Sequence, residues 1–476
     1  MLTNNNEMSS PFDRIQQLSN KGINPYPYHF PRSCPLYEVN EDYEDVNDQG
    51  ITVSLNLCGR VTAVHATEEG LIVQLEDRDA KLDCQLDCVS SENSLKDKIV
   101  VGDFIGIETD FLYRHQESGH LTAYVGNWCF LSLNLHPSLM PPQKHTFFYV
   151  AIDFNAREQL IQLSKITRYV RRFLEGNYDF FDFSTAVMSR VATEDDNGPT
   201  REDQPFLQPS IVLKQLIVGG LERVYEIYDN GLYGQKDYPQ SQILECCMAL
   251  SNLHDMLTLT EKLVSGLAKH LHSTYMLSWI STDVFSTSSL DNSERKILID
   301  LTPPWAHRYF YSLVEETMGV DFLQLQTIEE AVDVACKGGA YIPETQNFAY
   351  VGQVAVEVFN QLIAPQLIQP TFVMGYPIEV YPNAKPHRGN PRVAEVAHLF
   401  INGFQFGTVI NDQTNPDELQ KMMQAYTKTN VTVDSYFVSA LNYGVPPISH
   451  LVIFLQPLSL MILGTTNMRE IIPYLI

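Results

Sequence analysis

The sequence has no apolar run long enough to cross a membrane. Its longest, Leu451 to Leu463, is interrupted by Gln456, Pro457 and Ser459, whereas a spanning helix needs roughly 20 apolar residues. A buried strand leading into a helix is expected there instead. No residue pattern recurs at a fixed period, which excludes solenoids and propellers. Basic residues are scarce: 32 Lys and Arg against 57 Asp and Glu leave a net charge of −25. Nucleic-acid backbones are bound by Lys and Arg that displace counterions. A chain this acidic suits a polyanion only where its few cations cluster, and most of its charge reads as solvated surface. The eight cysteines lack metal-site spacing. Cys84 and Cys88 do not form a Cys-x-x-Cys, and Cys246-Cys247 reads as buried thiols in an apolar run. Such usage fits a reducing compartment. Met1 to Asn20 is polar and Asn-rich, without the apolar core of a secretory signal or the arginines of a mitochondrial presequence. A cytoplasmic location with no membrane association is expected.

What is present is an ordinary globular composition, 44% hydrophobic and 19% charged over 476 residues. That length predicts two or three domains. Phe12, Ile15 and Leu18 predict a short helix, followed by an extended Asn24-Pro-Tyr-Pro-Tyr-His-Phe30 whose prolines exclude helix. Residues 36–49, rich in Asp and Glu, read as a solvated loop. Alternating segments from residue 51 to 135, such as Val53 to Leu57, Leu71 to Leu75 and Phe104 to Ile107, predict short strands and a small OB-type barrel. Pro137 to His145 reads as a linker. Leu160, Leu163, Ile166, Val170, Phe173 and Leu174 then mark an amphipathic helix. Leu216 to Ile227 and Ile243 to Leu250 read as buried strands, and Leu253 to His270 as helix. Without a βαβ rhythm, the fold class is α+β with a mixed, largely antiparallel sheet. The boundaries are an N-terminal helix and acidic linker over 1–48, a barrel over 49–136, a linker over 137–155 and an α+β domain over 156–476.

These segments resemble lysyl-tRNA synthetase, a class II synthetase, over almost the whole chain. The resemblance is carried in order by Lys21-Gly-Ile-Asn-Pro-Tyr-Pro27, Gly59-Arg60, Pro141-Pro-Gln-Lys-His145, and Val218-Gly-Gly-Leu-Glu-Arg-Val-Tyr-Glu-Ile227. It continues through Gln369-Pro-Thr-Phe372, Glu379-Val-Tyr-Pro382, Ala384-Lys-Pro-His-Arg388, Leu399-Phe-Ile401 and Ala440-Leu-Asn-Tyr-Gly-Val-Pro-Pro447. It implies an anticodon-binding-like OB barrel and a class II catalytic-type domain. It also implies a homodimer built through the motif 1 region, Ile161 to Leu174. The family joins lysine to ATP and then to tRNA, a reaction of positioning and phosphate charge neutralisation.

Inside those flanks the residues that carry the family's chemistry are replaced. Motif 2 offers no arginine, only Lys236, which lacks the guanidinium fork. The adenine-stacking aromatic corresponds to Ser241. Motif 3 places His450, Val452 and Phe454 at its glycines and Pro457 at its arginine. Side chains at Val452, Ile453, Phe454 and Leu455 are expected to fill the nucleotide space. The two metal carboxylates correspond to Gln405 and Asp412. The lysine-binding carboxylates correspond to Ser210 and Asn442, while Glu245 is kept. The base-stacking aromatic of the barrel is Ile72, and a later Gly-Glu-Leu reads Gly119-His-Leu121. Arg60, Lys385, His387 and Arg388 remain, the last three as residual site groups or a buried network.

The resemblance thus marks Ser210, Lys236, Ser241, Glu245, Arg388, Asn442 and Pro457 as a degenerate substrate pocket. It assigns no catalytic residue and no metal ligand, leaving Gln405 and Asp412 as vestiges and Arg60 as a weak nucleic-acid contact. Three readings stay open. The first is a non-catalytic scaffold or complex subunit without cofactor. The second is a divergent lysine–tRNA ligase using ATP and Mg²⁺. The third is an RNA-binding module built on the barrel, which the charge disfavours, as it disfavours tRNA as a partner.

Overall fold

A computed structural model describes residues 11–66, 70–77, 80–87, 99–115, 119–135, 154–185, 209–230, 241–281, 295–343, 346–426 and 435–464. The chain divides into two compact units, Met1–Leu160 and Ile161–Leu475.

The first unit holds helices α1 (Pro11–Asn20) and α2 (Leu36–Asp42) and strands β1 (Ile51–Ala66), β2 (Gly70–Glu76), β3 (Lys81–Asp87), β4 (Phe104–Arg114) and β5 (Leu121–Ser132). The strands close into a barrel in the order β1-β2-β3-β5-β4, the OB-type closure the alternation predicts. Its interior is apolar, with Leu57, Val61, Val73, Leu75, Leu82, Ile105 and Ile107 buried. Closure brings β1 against β2 so tightly that a Cβ on Gly59 would stand 2.8 Å from the Glu76 carbonyl oxygen. Only glycine fits there. Residues 36–42 are helical, not loop. Leu36 and Val39, one turn apart, join Leu18 in the barrel core, and the acidic residues ride on the outer side.

The second unit runs from α3 (Phe154–Tyr178, which begins in the first unit) through β6 (Phe181–Asp182), α4 (Pro209–Val218), β7 (Arg223–Asn230), β8 (Ser241–Ala249) and α5 (Leu253–His272). A hairpin of β9 (Met276–Ser281) and β10 (Arg295–Asp300) follows, then β11 (Ala306–Tyr309) and helices α6 (Phe310–Met318), α7 (Ile328–Lys337) and α8 (Val351–Val358). The rest comprises β12 (Thr371–Met374), β13 (Pro386–His387), β14 (Asn390–Ala394), β15 (Val396–Ile401) and β16 (Phe404–Asn411), with α9 (Pro416–Tyr426), α10 (Ser435–Leu441), β17 (Ile448–Phe454) and α11 (Leu455–Leu463). Eight strands form one sheet in the order β11-β12-β15-β16-β17-β8-β7-β6. Its neighbours pair antiparallel except β11 with β12 and β6 with β7. The fold is α+β as expected.

Residues 216–227 are not one strand. Leu216 to Val218 end helix α4, and the strand begins at Arg223. Gly219 and Gly220, the latter at φ +103, stop the helix where a side chain would resist the left-handed turn. Helix α5 opens on Asn252, whose side chain accepts from the backbone N–H groups of His254 and Asp255. Asp255 accepts in return from the Asn252 N–H. Its apolar stripe, Met256, Leu259, Leu263, Val264 and Leu267, packs with Ile166, Val170 and Leu174 of α3 on one face of the sheet. Tyr225, Leu244, Cys246, Leu399, Val409, Leu451 and Ile453 supply that face. Fully burying a side chain of this size contributes about 1.5–3 kcal/mol. The other face carries two separate apolar clusters. Leu213 and Ile217 of α4 cover Val224, Cys247 and Ile448, while Phe310, Val354 and Phe359 cover Val373, Val396, Phe400 and Ile410.

Strand alternation corrects one expectation about motif 3. Ile453 and Leu455 belong to the α3–α5 core, so they do not project toward the opposite face. His450, Val452 and Phe454 share that second face with Ile448, because successive side chains point to opposite sides.

Candidate functional site

Between the two clusters of the second face runs a polar strip. Glu226, Glu245, Val452, Thr408 and His398 stand opposite one another in turn across β7, β8, β17, β16 and β15. One rung along lie Cys247, His450 and Ile410. Asp412 follows the end of β16, its N–H bonded to the Ile448 carbonyl at 3.0 Å. Helix α4 brings Lys214 to this strip. Its Nζ donates to Asp412 Oδ1 at 2.6 Å, and both side chains are buried. Burial opposes the ammonium's charge, yet Asp412, joined by Cys247 and Glu245, outweighs it and holds Lys214 above its ordinary range.

The strip is unevenly satisfied. Glu226 accepts from the Thr185 N–H at 3.0 Å and from the Thr185 hydroxyl at 2.6 Å. Glu245 accepts from the Tyr228 hydroxyl at 3.1 Å through Oε1, while Oε2 is buried without a partner among the described residues. Burial raises Glu245 to about 7. Tyr228 and Lys214 pull it down, and Glu226 and Asp412 push it further up. Asp412 Oδ2 and both ring nitrogens of His450 are likewise buried without a partner among the described residues. Burial, with Lys214 nearby, drives His450 well below the ordinary histidine range. His398 is pushed down to about 3 by burial, with Gln405 opposing. Its Nε2 lies 2.7 Å from the Tyr381 hydroxyl, and its ring stacks on Tyr376 at 4.1 Å.

The structure gathers only part of the set read from the sequence. Ser210 is buried in α4, the helix that carries Lys214. Glu245, Asp412 and His450 share the strip. Gln405 lies beside it, donating to the Thr408 hydroxyl at 2.8 Å. Pro457 is half-buried in the first turn of α11, where a missing N–H is tolerated. Asn442 is exposed, in the turn after α10. Arg388 and His387 are exposed at the β13–β14 turn. They form no buried network, because a two-residue strand pair leaves its turn in solvent. Ser241 begins β8, and Lys236 lies outside the described residues, as do Pro141 to His145. The groups that sequence reasoning passed over are Lys214 and Glu226. Each is a lone charge in an apolar run, Ile211-Val-Leu-Lys-Gln-Leu216 and Val224-Tyr-Glu-Ile227, and a charge so placed needs a partner.

On the barrel, Arg60 stands 4.4 Å above the Phe104 ring and donates to the Gly102 carbonyl at 3.1 Å. Ile72 is half-buried on β2. His120 Nδ1 lies 3.2 Å from Asp83 Oδ2, in a groove that Glu41, Glu44, Gln74, Lys81 and Arg114 also line.

An OB-type barrel followed by a mixed, mainly antiparallel sheet with a polar strip between helices defines the class II aminoacyl-tRNA synthetase architecture. Residues 144–475 match the model for tRNA synthetases class II (D, K and N), and the chain belongs to that family. It is 27% identical to a lysine–tRNA ligase of Nostoc punctiforme, over 97% of this chain and 86% of the relative. Similar ligases occur in Thermotoga maritima, at 27% identity over 97% of this chain and 93% of the relative. One of Parasynechococcus marenigrum is 26% identical over 97% and 95%. Among the described residues, no helix is long and apolar enough to cross a membrane.

Proposed function

We propose that this chain is a non-catalytic, lysyl-tRNA synthetase-like member of its family, serving as a dimeric structural or regulatory subunit. The observation that carries the reading is the Lys214–Asp412 ion pair. Asp412 occupies a position where the resemblance implies a metal-binding carboxylate, and one of its oxygens is taken by an internal ammonium at 2.6 Å. The other such position is Gln405, a neutral amide committed to Thr408. A magnesium ion prefers charged carboxylate oxygens in near-octahedral geometry, so this pair does not fit it. The replacements at Ser210, Asn442 and Pro457 support the same reading, since each removes a charge that would meet lysine or phosphate. Phe181, exposed on the edge strand β6, supports a second copy as partner.

The deciding experiment is lysine-dependent ATP–pyrophosphate exchange. No exchange above a lysine-free control is expected. Robust lysine-dependent exchange would overturn the proposal and favour a divergent active ligase. Sedimentation equilibrium checks the dimer, and a monomer at micromolar concentration would remove that part.

A further inference from the structure

Glu226 and Glu245 are directly opposed on β7 and β8, and both are buried. Two like charges facing each other across a ladder are destabilising, and two buried carboxylates sharing a site do not both ionise freely. Their hydrogen bonds divide the roles. Glu226 accepts from both the N–H and the hydroxyl of Thr185. Glu245 has one hydroxyl donor and one buried oxygen without a partner among the described residues, an arrangement that favours the acid. The surroundings on every packed element are specific. Tyr228 and Glu226 face Glu245 from β7 and Cys247 flanks it on β8. His450 lies across on β17, Lys214 comes from α4, and Asp412 follows β16. Lys214, the cation among these groups, is committed to Asp412 at 2.6 Å.

We propose that the Glu226–Glu245 pair is a proton-operated clasp on Thr185, just after β6. With Glu245 protonated, Glu226 keeps both bonds to Thr185, fixing the chain just after β6. When Glu245 gives its proton to solvent, the two carboxylates repel. Loosening the Thr185 contacts, so that water reaches Glu226, relieves the repulsion. The proposal is independent of whether the chain has synthetase activity.

The sign follows from linkage. Glu245 is raised to about 7 in the folded chain from an ordinary 4.5. Its stabilising share is complete below 4.5 and is lost as pH rises through 7. The test compares the full-length protein with Glu245→Gln, which keeps the neutral form at every pH. The variant's advantage in urea unfolding should grow from about pH 4.5 and level off above about pH 7, reaching on the order of 100-fold in the unfolding equilibrium constant. Hydrogen exchange read by mass spectrometry, corrected for the intrinsic rate, should show the Thr185 peptide opening over the same interval in the parent only. Parallel stability profiles, or an equally protected Thr185 peptide in both proteins, would overturn the clasp. Should Glu245→Gln not fold, infrared spectra of the parent labelled with carbon-13 glutamate decide the matter. A protonated glutamic acid band present near pH 6 and gone near pH 8 is expected. No such band at either pH overturns the proposal.

Discussion

The ε-ammonium of Lys214 meets Oδ1 of Asp412 at 2.6 Å across 198 residues of sequence. The pair ties helix α4 to the end of β16 and closes one side of the polar strip. Breaking one member of a buried ion pair leaves the other charged and uncompensated, at a cost of about 3–5 kcal/mol, whereas replacing both by apolar groups of similar volume is often near neutral. Asp412→Ala is therefore expected to destabilise the second unit by that amount. The double variant Lys214→Met/Asp412→Leu is expected to recover most of the loss. Urea unfolding of the two variants checks this. A double variant no more stable than the single one would show that the residues are not coupled.

The two buried histidines give the chain an acid limit. His398 is held at about 3 and His450 well below its ordinary 6.5. Both stay neutral in the fold and take up protons on unfolding as pH falls below 6.5. A depressed histidine contributes stability that is present above 6.5 and lost toward the folded value. For His398 that loss approaches on the order of 4 kcal/mol by about pH 3. His450→Leu removes two buried nitrogens that lack partners among the described residues. It is expected to be neutral to about 1 kcal/mol stabilising at pH 7 and to flatten the acid limb. Thermal midpoints from pH 4 to 8 measure both effects, and an unchanged acid limb in His450→Leu would refute the role of this histidine.

The barrel was legible because its strands alternate and its turns are punctuated, so the pattern of period two survives in Leu71-Ile-Val-Gln-Leu75. Helix α2 was not, since two apolar anchors among acidic residues look like a solvated loop until Leu36 and Val39 are seen on the core. The end of α4 was misread because a continuous apolar run fits a buried strand or a helix equally well. Among the positions marked in the sequence, Glu245, His450 and Asp412 fall on the strip. The site was not legible as contacts. Nothing local announces that Lys214 will find Asp412, or that Glu226 will face Glu245, because register and long-range pairing set those meetings. Of the four motif 3 side chains expected to fill the nucleotide space, Ile453 and Leu455 turn into the α3–α5 core, while Val452 and Phe454 take the opposite side of β17.

Pro457 offers the sharpest check on how many changes separate this chain from an active ligase. It sits in the first turn of α11, where replacing proline removes no hydrogen bond, so Pro457→Arg is expected to fold with stability within about 1 kcal/mol of the parent. An arginine alone has little to act on. His450, Val452 and Phe454 still project onto the strip, Gln405 and Asp412 remain committed, and Ser210 and Asn442 still lack carboxylates. No lysine-dependent pyrophosphate exchange is expected from this variant. Adding His450→Gly and Phe454→Gly opens space and introduces two glycines into or beside β17, each costing about 0.5–1 kcal/mol in backbone entropy besides the burial lost. Calorimetric titration with ATP is expected to show weak binding in the triple variant at most, still without exchange. Exchange restored by Pro457→Arg alone would mean that a single side chain, and not the joint loss across the strip, separates this chain from catalysis.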